Sequence, residues 1–93
     1  MEQELEQLAT FFKVLNDLTR LKILYALEGG ELTVNQIAEE VMMTVSAVSH
    51  QLRVLREHKL VKARKEGKYA YYSLDDDHVQ AILEIALIHL REG

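Results

Sequence analysis

The stretch from His78 to Arg91 is apolar almost all the way round a helix: Val79, Ile82, Leu83, Ile85, Ala86, Leu87, Ile88 and Leu90 leave no wide polar face. A helix in a 93-residue chain buries one stripe against its own core and leaves the rest to water. A segment this apolar therefore calls for a second surface, and a partner subunit is the expected one. Its apolar run is too short for the roughly 18 consecutive residues of a membrane span.

Ahead of it the pattern is helical. Leu5, Leu8, Phe12 and Leu15 set a first helix from about Gln3 to Leu15, broken at Asn16-Asp17. A second, Leu18 to Glu28, turns Leu21, Ile23, Leu24 and Leu27 inward and ends at Gly29-Gly30, since glycine accepts the left-handed C-terminal geometry. Thr33 caps a short third helix, Val34 to Val41, with Ile37, Ala38 and Val41 inward. After Met42-Met43, Thr44 or Ser46 caps a fourth helix that runs to about His58 on Val48, Leu52 and Leu55. The texture then becomes β-branched and aromatic. Leu60–Arg64 and Tyr69–Ser73 read as a hairpin, and Gly67 stands at its tip, where a tight turn needs positive φ. Asp75-Asp76-Asp77 gives the last helix an acidic start. With no Pro, no repeat and no linker, residues 1–93 read as a single domain. The expected fold is mainly α with a small β-hairpin, a dimeric winged helix-turn-helix whose fourth helix enters the DNA major groove.

The formal net charge of -4 hides an asymmetry. Between residues 53 and 68 stand Arg53, Arg56, Lys59, Lys62, Arg64, Lys65 and Lys68 against only Glu57 and Glu66, while the chain on either side is acidic. A basic segment on an acidic body suits phosphate contacts; a solvated charged face is the plainer reading of the run alone. On the fourth helix Ser46, Ala47, Ser49, His50 and Arg53 face outward near the N-terminus, small enough for close backbone approach and polar enough to reach base edges.

Two stretches, Leu15-Asn-Asp-Leu-Thr-Arg-Leu-Lys-Ile-Leu24 and Val48-Ser-His-Gln-Leu-Arg-Val-Leu55, resemble the signature segments of the ArsR/SmtB family of metal-responsive bacterial repressors. The resemblance extends over nearly the whole chain. It implies a homodimer on double-stranded, inverted-repeat operator DNA, blocking metal efflux or detoxification genes until an inducer binds. It carries over Ser46, Ser49 and His50 as DNA contacts, with Arg64, Lys65 and Lys68 in the wing. One departure is Val45, which lies where many members of the family carry a polar DNA-contacting residue.

The last helix also holds the pattern Asp76-x-His78-x10-His89-x2-Glu92, all residue types that ligate a divalent cation. His89 and Glu92 share a face. His78 and His89 lie on nearly one face but roughly 16 Å apart along the axis, so one helix cannot bring them to one ion. Two copies packed antiparallel across a two-fold axis bring Asp76 and His78 of one to His89 and Glu92 of the other, twice. Singly, each has a plainer role: the aspartates as caps, the histidines as interface filler, Glu92 as a frayed end. Together they are similar to the C-terminal-helix zinc site of zinc-sensing family members. With no cysteine, thiolate sites and disulfides are excluded, and two imidazoles with two carboxylates suit Zn²⁺, with Co²⁺ as a mimic. A bond from His89 to the backbone near Lys59 is the expected tie between metal and recognition helix.

The function these features imply is a zinc-responsive repressor whose apo dimer binds DNA and whose metal releases it. The alternatives are a regulator with purely structural metal and a metal-buffering protein–protein module. No nucleophile triad or phosphate loop points to an enzyme or a small-molecule substrate. An acidic N-terminus unlike a secretory signal, and no membrane span, imply the cytoplasm.

Overall fold

A computed structural model describes residues 1–93. Helix α1 (Glu2–Leu15) is followed by α2 (Leu18–Ala26), strand β1 (Leu32–Thr33), α3 (Val34–Val41), α4 (Val45–Glu57), β2 (Val61–Glu66), β3 (Tyr69–Leu74) and α5 (Asp77–Glu92). This is a winged helix-turn-helix, as expected, with α3 and α4 as the helix pair and β2–β3 as the wing.

Local chemistry sets most boundaries. Thr33 caps α3 through a reciprocal capping box with Gln36. Of the two candidate caps for α4, Thr44 serves, accepting from the Ala47 N–H at 3.1 Å. Asp17 does more than break α1: its carboxylate accepts from the Arg20 N–H and starts α2. The second helix is shorter than its pattern suggests. It closes at Ala26 into a 3₁₀ turn, Leu27–Gly29, because the Leu27 N–H is shared among the carbonyls of Ile23, Leu24 and Tyr25. Gly30 then takes φ 129° and ψ -172°, an extended positive-φ conformation rather than the left-handed helical one.

The hairpin is joined by a third strand. The sheet order is β1-β3-β2, all antiparallel, with Leu32 opposite Tyr72 and Thr33 opposite Tyr71. Glu66 pairs with Tyr69, so the wing tip is the two-residue loop Gly67-Lys68, with Gly67 at φ 61°.

Only 14 of 93 residues are buried, all of them apolar, and they form one cluster. It gathers Ile23 and Leu24 from α2, Leu27 from the 3₁₀ turn that follows, Ile37 and Ala38 from α3, Val48, Leu52 and Leu55 from α4, then Leu60, Val61 and Leu74 of the wing base. Val79 and Leu83 are the buried residues of α5, and Leu21 and Val41, expected inside, are half-buried. Every residue from Met1 to Thr10 is exposed. The radius of gyration, 13.8 Å, exceeds the roughly 12 Å of a compact chain this long, as a core this small with helices standing off it requires.

Candidate DNA-reading surface and metal centre

Helix α4 is held on three sides. Val48, Leu52 and Leu55 are wholly buried beneath it. At its start the chain turns through Met42, which takes the left-handed conformation (φ 58°), and the Met43 N–H bonds back to the Ala38 carbonyl at 3.0 Å. At its middle, Gln51 accepts from Arg20 Nε at 2.9 Å, and the same guanidinium donates to the Val14 carbonyl at 3.3 Å. One arginine thus ties α1, α2 and α4 together. Sequence reasoning missed this clamp; the signal was a single arginine inside the apolar run of α2.

On the opposite side Ser46, Ser49, His50 and Arg53 are exposed, and Ala47 is half-buried. Arg53 and His50, one turn apart, lie 3.3 Å from each other. Val45 is 46% exposed in the first turn, so this apolar side chain shares the outward surface. Free N–H groups and the positive end of the helix dipole lie there as well.

In the wing Lys65 and Lys68 are exposed and paired with no carboxylate, whereas Arg64 is engaged by Glu31 and Glu66. Adjacent strand residues project to opposite faces, which separates Lys65 from Arg64.

Helix α5 begins at Asp76, whose carboxylate accepts from the Val79 N–H at 3.1 Å. That bond, aided by His78, holds the Asp76 carboxyl below its ordinary value. The other Asp76 oxygen lies 3.5 Å from His78 Nδ1, and the His78 side chain is 93% exposed. The structure therefore brings Asp76 and His78 together. His89 and Glu92 lie in the last turn, both exposed. No three His, Asp or Glu side chains converge within one chain. At 100° per residue, His78, Ile82, Ile85, His89 and Glu92 fall within an arc of about 80°. This is the face turned away from Val79 and Leu83, and Ile85 on it is 65% exposed. The other unpartnered apolar surface is on α1, where Leu5, Leu8 and Phe12 are about half exposed.

Two bonds join α5 to the rest. Tyr25 donates its hydroxyl proton to the Leu83 carbonyl at 2.7 Å, and burial raises the Tyr25 pKa. The Asp75 N–H donates to the Leu60 carbonyl at 3.0 Å, two residues beyond the cap of α4 and one before the cap of α5. Lys59 between them is left-handed, φ 59°. Within the chain, then, the end of the recognition helix is tied to the Asp76 end of α5.

The profile described as "Bacterial regulatory protein, arsR family" matches residues 17–63, from the cap of α2 into the wing. A cadmium resistance transcriptional regulatory protein CadC homolog of Staphylococcus aureus is 47% identical over 85 residues, 90% of this chain and 70% of that protein. A transcriptional repressor SmtB homolog of Synechocystis is 44% identical over 88 residues, 95% of this chain and 67% of that one. The solution structure of the homodimeric winged helix-turn-helix DNA-binding domain Mb0332 from Mycobacterium bovis superposes with a TM-score of 0.91 at 32% identity, covering 98% of this chain and 84% of that one.

Proposed function

This chain belongs to the arsR family of bacterial regulatory proteins, regulators rather than enzymes, and from that premise we propose that it is a homodimeric repressor released from operator DNA by zinc. The observation that carries the reading is the arrangement of α5. Asp76 and His78 meet at one end, His89 and Glu92 lie at the other, and the face between them is apolar and bare.

A second α5 packed antiparallel on that face covers Ile82 and Ile85 and brings the two ends together, giving two composite sites per dimer. α1 supplies further apolar surface for the same partner through Leu5, Leu8 and Phe12. The Mb0332 domain, so similar in fold, is a homodimer. Asp76, His78, His89 and Glu92 would hold the ion. Two nitrogen and two oxygen donors with no thiolate fit Zn²⁺, and Co²⁺ in its place. A metal bound there supplies a cross-link between subunits, leaving no open position for substrate chemistry.

DNA is read by Ser46, Ala47, Ser49, His50 and Arg53 on α4, with Lys65 and Lys68 of the wing at the phosphates. The Asp75–Leu60 bond and the Tyr25–Leu83 bond make α5 and the reading unit move together, so fixing one α5 against the other fixes the angle between the two recognition helices. Zinc and operator then oppose each other by the same factor in both directions.

Fluorescence anisotropy on a labelled duplex from upstream of its own gene tests this. Zinc releases the duplex, chelator restores the complex, and His78→Ala abolishes the response. Zinc that strengthens the complex assigns the ion a structural role, and the derepression mechanism is then wrong.

A further inference from the structure

Arg64 stands apart from its basic neighbours in the wing. Its Nε lies 2.8 and 3.0 Å from the two carboxylate oxygens of Glu31, and a second nitrogen is engaged by Glu66. The guanidinium carbon sits 4.8 Å from the centroid of the Tyr71 ring. Tyr71 belongs to β3, the central strand, and pairs with Arg64 on one side and Thr33 on the other. The ion pair therefore crosses the sheet, from outer strand β2 over Tyr71 to the residue just before outer strand β1.

β1 holds the sheet by only two paired residues, Leu32 and Thr33, and Thr33 is also the cap of α3. Glu31 lies between Gly30, at φ 129°, and that short strand. Whatever fixes Glu31 fixes how the wing meets the first helix of the helix-turn-helix pair. Arg64 with Glu31 and Glu66 carries a net negative charge, which offers nothing to a phosphate. Lys65, on the other face, is exposed and engages no carboxylate, so the DNA-binding reading assigns it the phosphate contact.

We infer that Arg64 is a positioning residue: with Glu31 and Tyr71 it latches the wing to the α3 side of the reading unit and sets the wing's angle to α4. The inference rests on the DNA-binding reading above. Exposed ion pairs are weak one by one, but a two-oxygen contact, a second carboxylate and an aromatic face form the network that is the exception.

Glu31→Gln separates the two roles by sign. It removes a negative charge beside the wing, so if Arg64 is a phosphate ligand its release tightens DNA binding. With Arg64 as a latch, Glu31→Gln weakens operator binding by about fivefold, and Arg64→Lys does the same although it keeps its charge. The salt slope stays at its wild-type value in Arg64→Gln. Tighter binding by Glu31→Gln, or a slope lower by about one in Arg64→Gln, overturns the latch. Wild-type protein that binds no duplex refutes the DNA-binding reading instead. The latch is still tested then by the ¹⁵N heteronuclear NOE of Gly67, which falls in Glu31→Gln if the latch orders the wing and is unchanged if it does not.

Discussion

Helices α4 and α5 are similar in length, 13 and 16 residues, yet they end up in opposite states. α4 has three wholly buried residues beneath it, a side-chain cap at its start and the Arg20–Gln51 clamp across its middle. α5 buries Val79 and Leu83 and leaves Ile82, Ile85, Ile88 and Leu90 in water. The reading unit is complete in one chain. The proposed sensing unit is half of an object, with two of its four proposed ligands at each end of α5 and an exposed apolar face between them. A regulator built this way can keep the base-reading geometry rigid and place its response in the relation between two copies.

Truncation at the two helices should therefore fail in different ways. Leu55→Ala removes a wholly buried side chain and should cost about 2–5 kcal/mol in denaturant unfolding, a large part of the stability of so small a core. Ile85→Lys should leave the unfolding of the subunit nearly intact and break the dimer. At a central interface position the loss is about 2 kcal/mol or more, roughly thirtyfold in the dimer dissociation constant measured by sedimentation. An Ile85→Lys protein that unfolds like Leu55→Ala would erase the distinction between the two helices.

Asp76 sharpens it further, because it serves both as cap and as proposed ligand. Asparagine caps as well as aspartate, and alanine costs about 1 kcal/mol. Asp76→Asn should thus keep the stability that Asp76→Ala loses, while both weaken zinc binding, measured by competition with a chelating dye. Equal zinc affinity in wild type and Asp76→Asn removes Asp76 from the site.

The smallest effect lies in the wing. Arg64, through its hydrogen bond, holds the Glu31 carboxyl below its ordinary value. A lowered carboxyl contributes stability that is present above its ordinary value and lost as pH falls through the folded one. A ¹³C titration should place the Glu31 midpoint below that of an exposed glutamate, and Arg64→Gln should return it. An unshifted wild-type midpoint would mean that the ion pair is not populated in solution.

What could be read from the residues alone was what depends on neighbours in sequence. The buried face of α4, the cap at Thr33 and the positive φ at Gly67 all follow from spacing of a few residues, and each is in place. β1 was not readable: two residues show no alternation, and Thr33 already had a role as a cap. Arg20 with Gln51, and Arg64 with Glu31, join residues more than thirty positions apart, and no local pattern announces such a pair. Asp17 read as a breaker because a capping aspartate and a loop aspartate look alike until the next helix is in view. At the candidate metal centre the contact between Asp76 and His78 was inferable, and so was an uncovered apolar face on the last helix; which of its residues are buried, Val79 and Leu83, appeared only with the fold.

Subunit complementation puts the central claim to the most direct test. His78→Ala and His89→Ala each destroy both composite sites of a homodimer. A heterodimer of the two variants keeps one whole site, formed by Asp76 and His78 of the His89→Ala subunit with His89 and Glu92 of the other. Co²⁺ added to the mixed, re-equilibrated variants should give the visible absorption of a tetrahedral site at about half the wild-type intensity per heterodimer, with neither variant alone producing it. Absorption retained by either variant alone, or none from the mixture once heterodimers have formed, would contradict a site shared between two α5 helices.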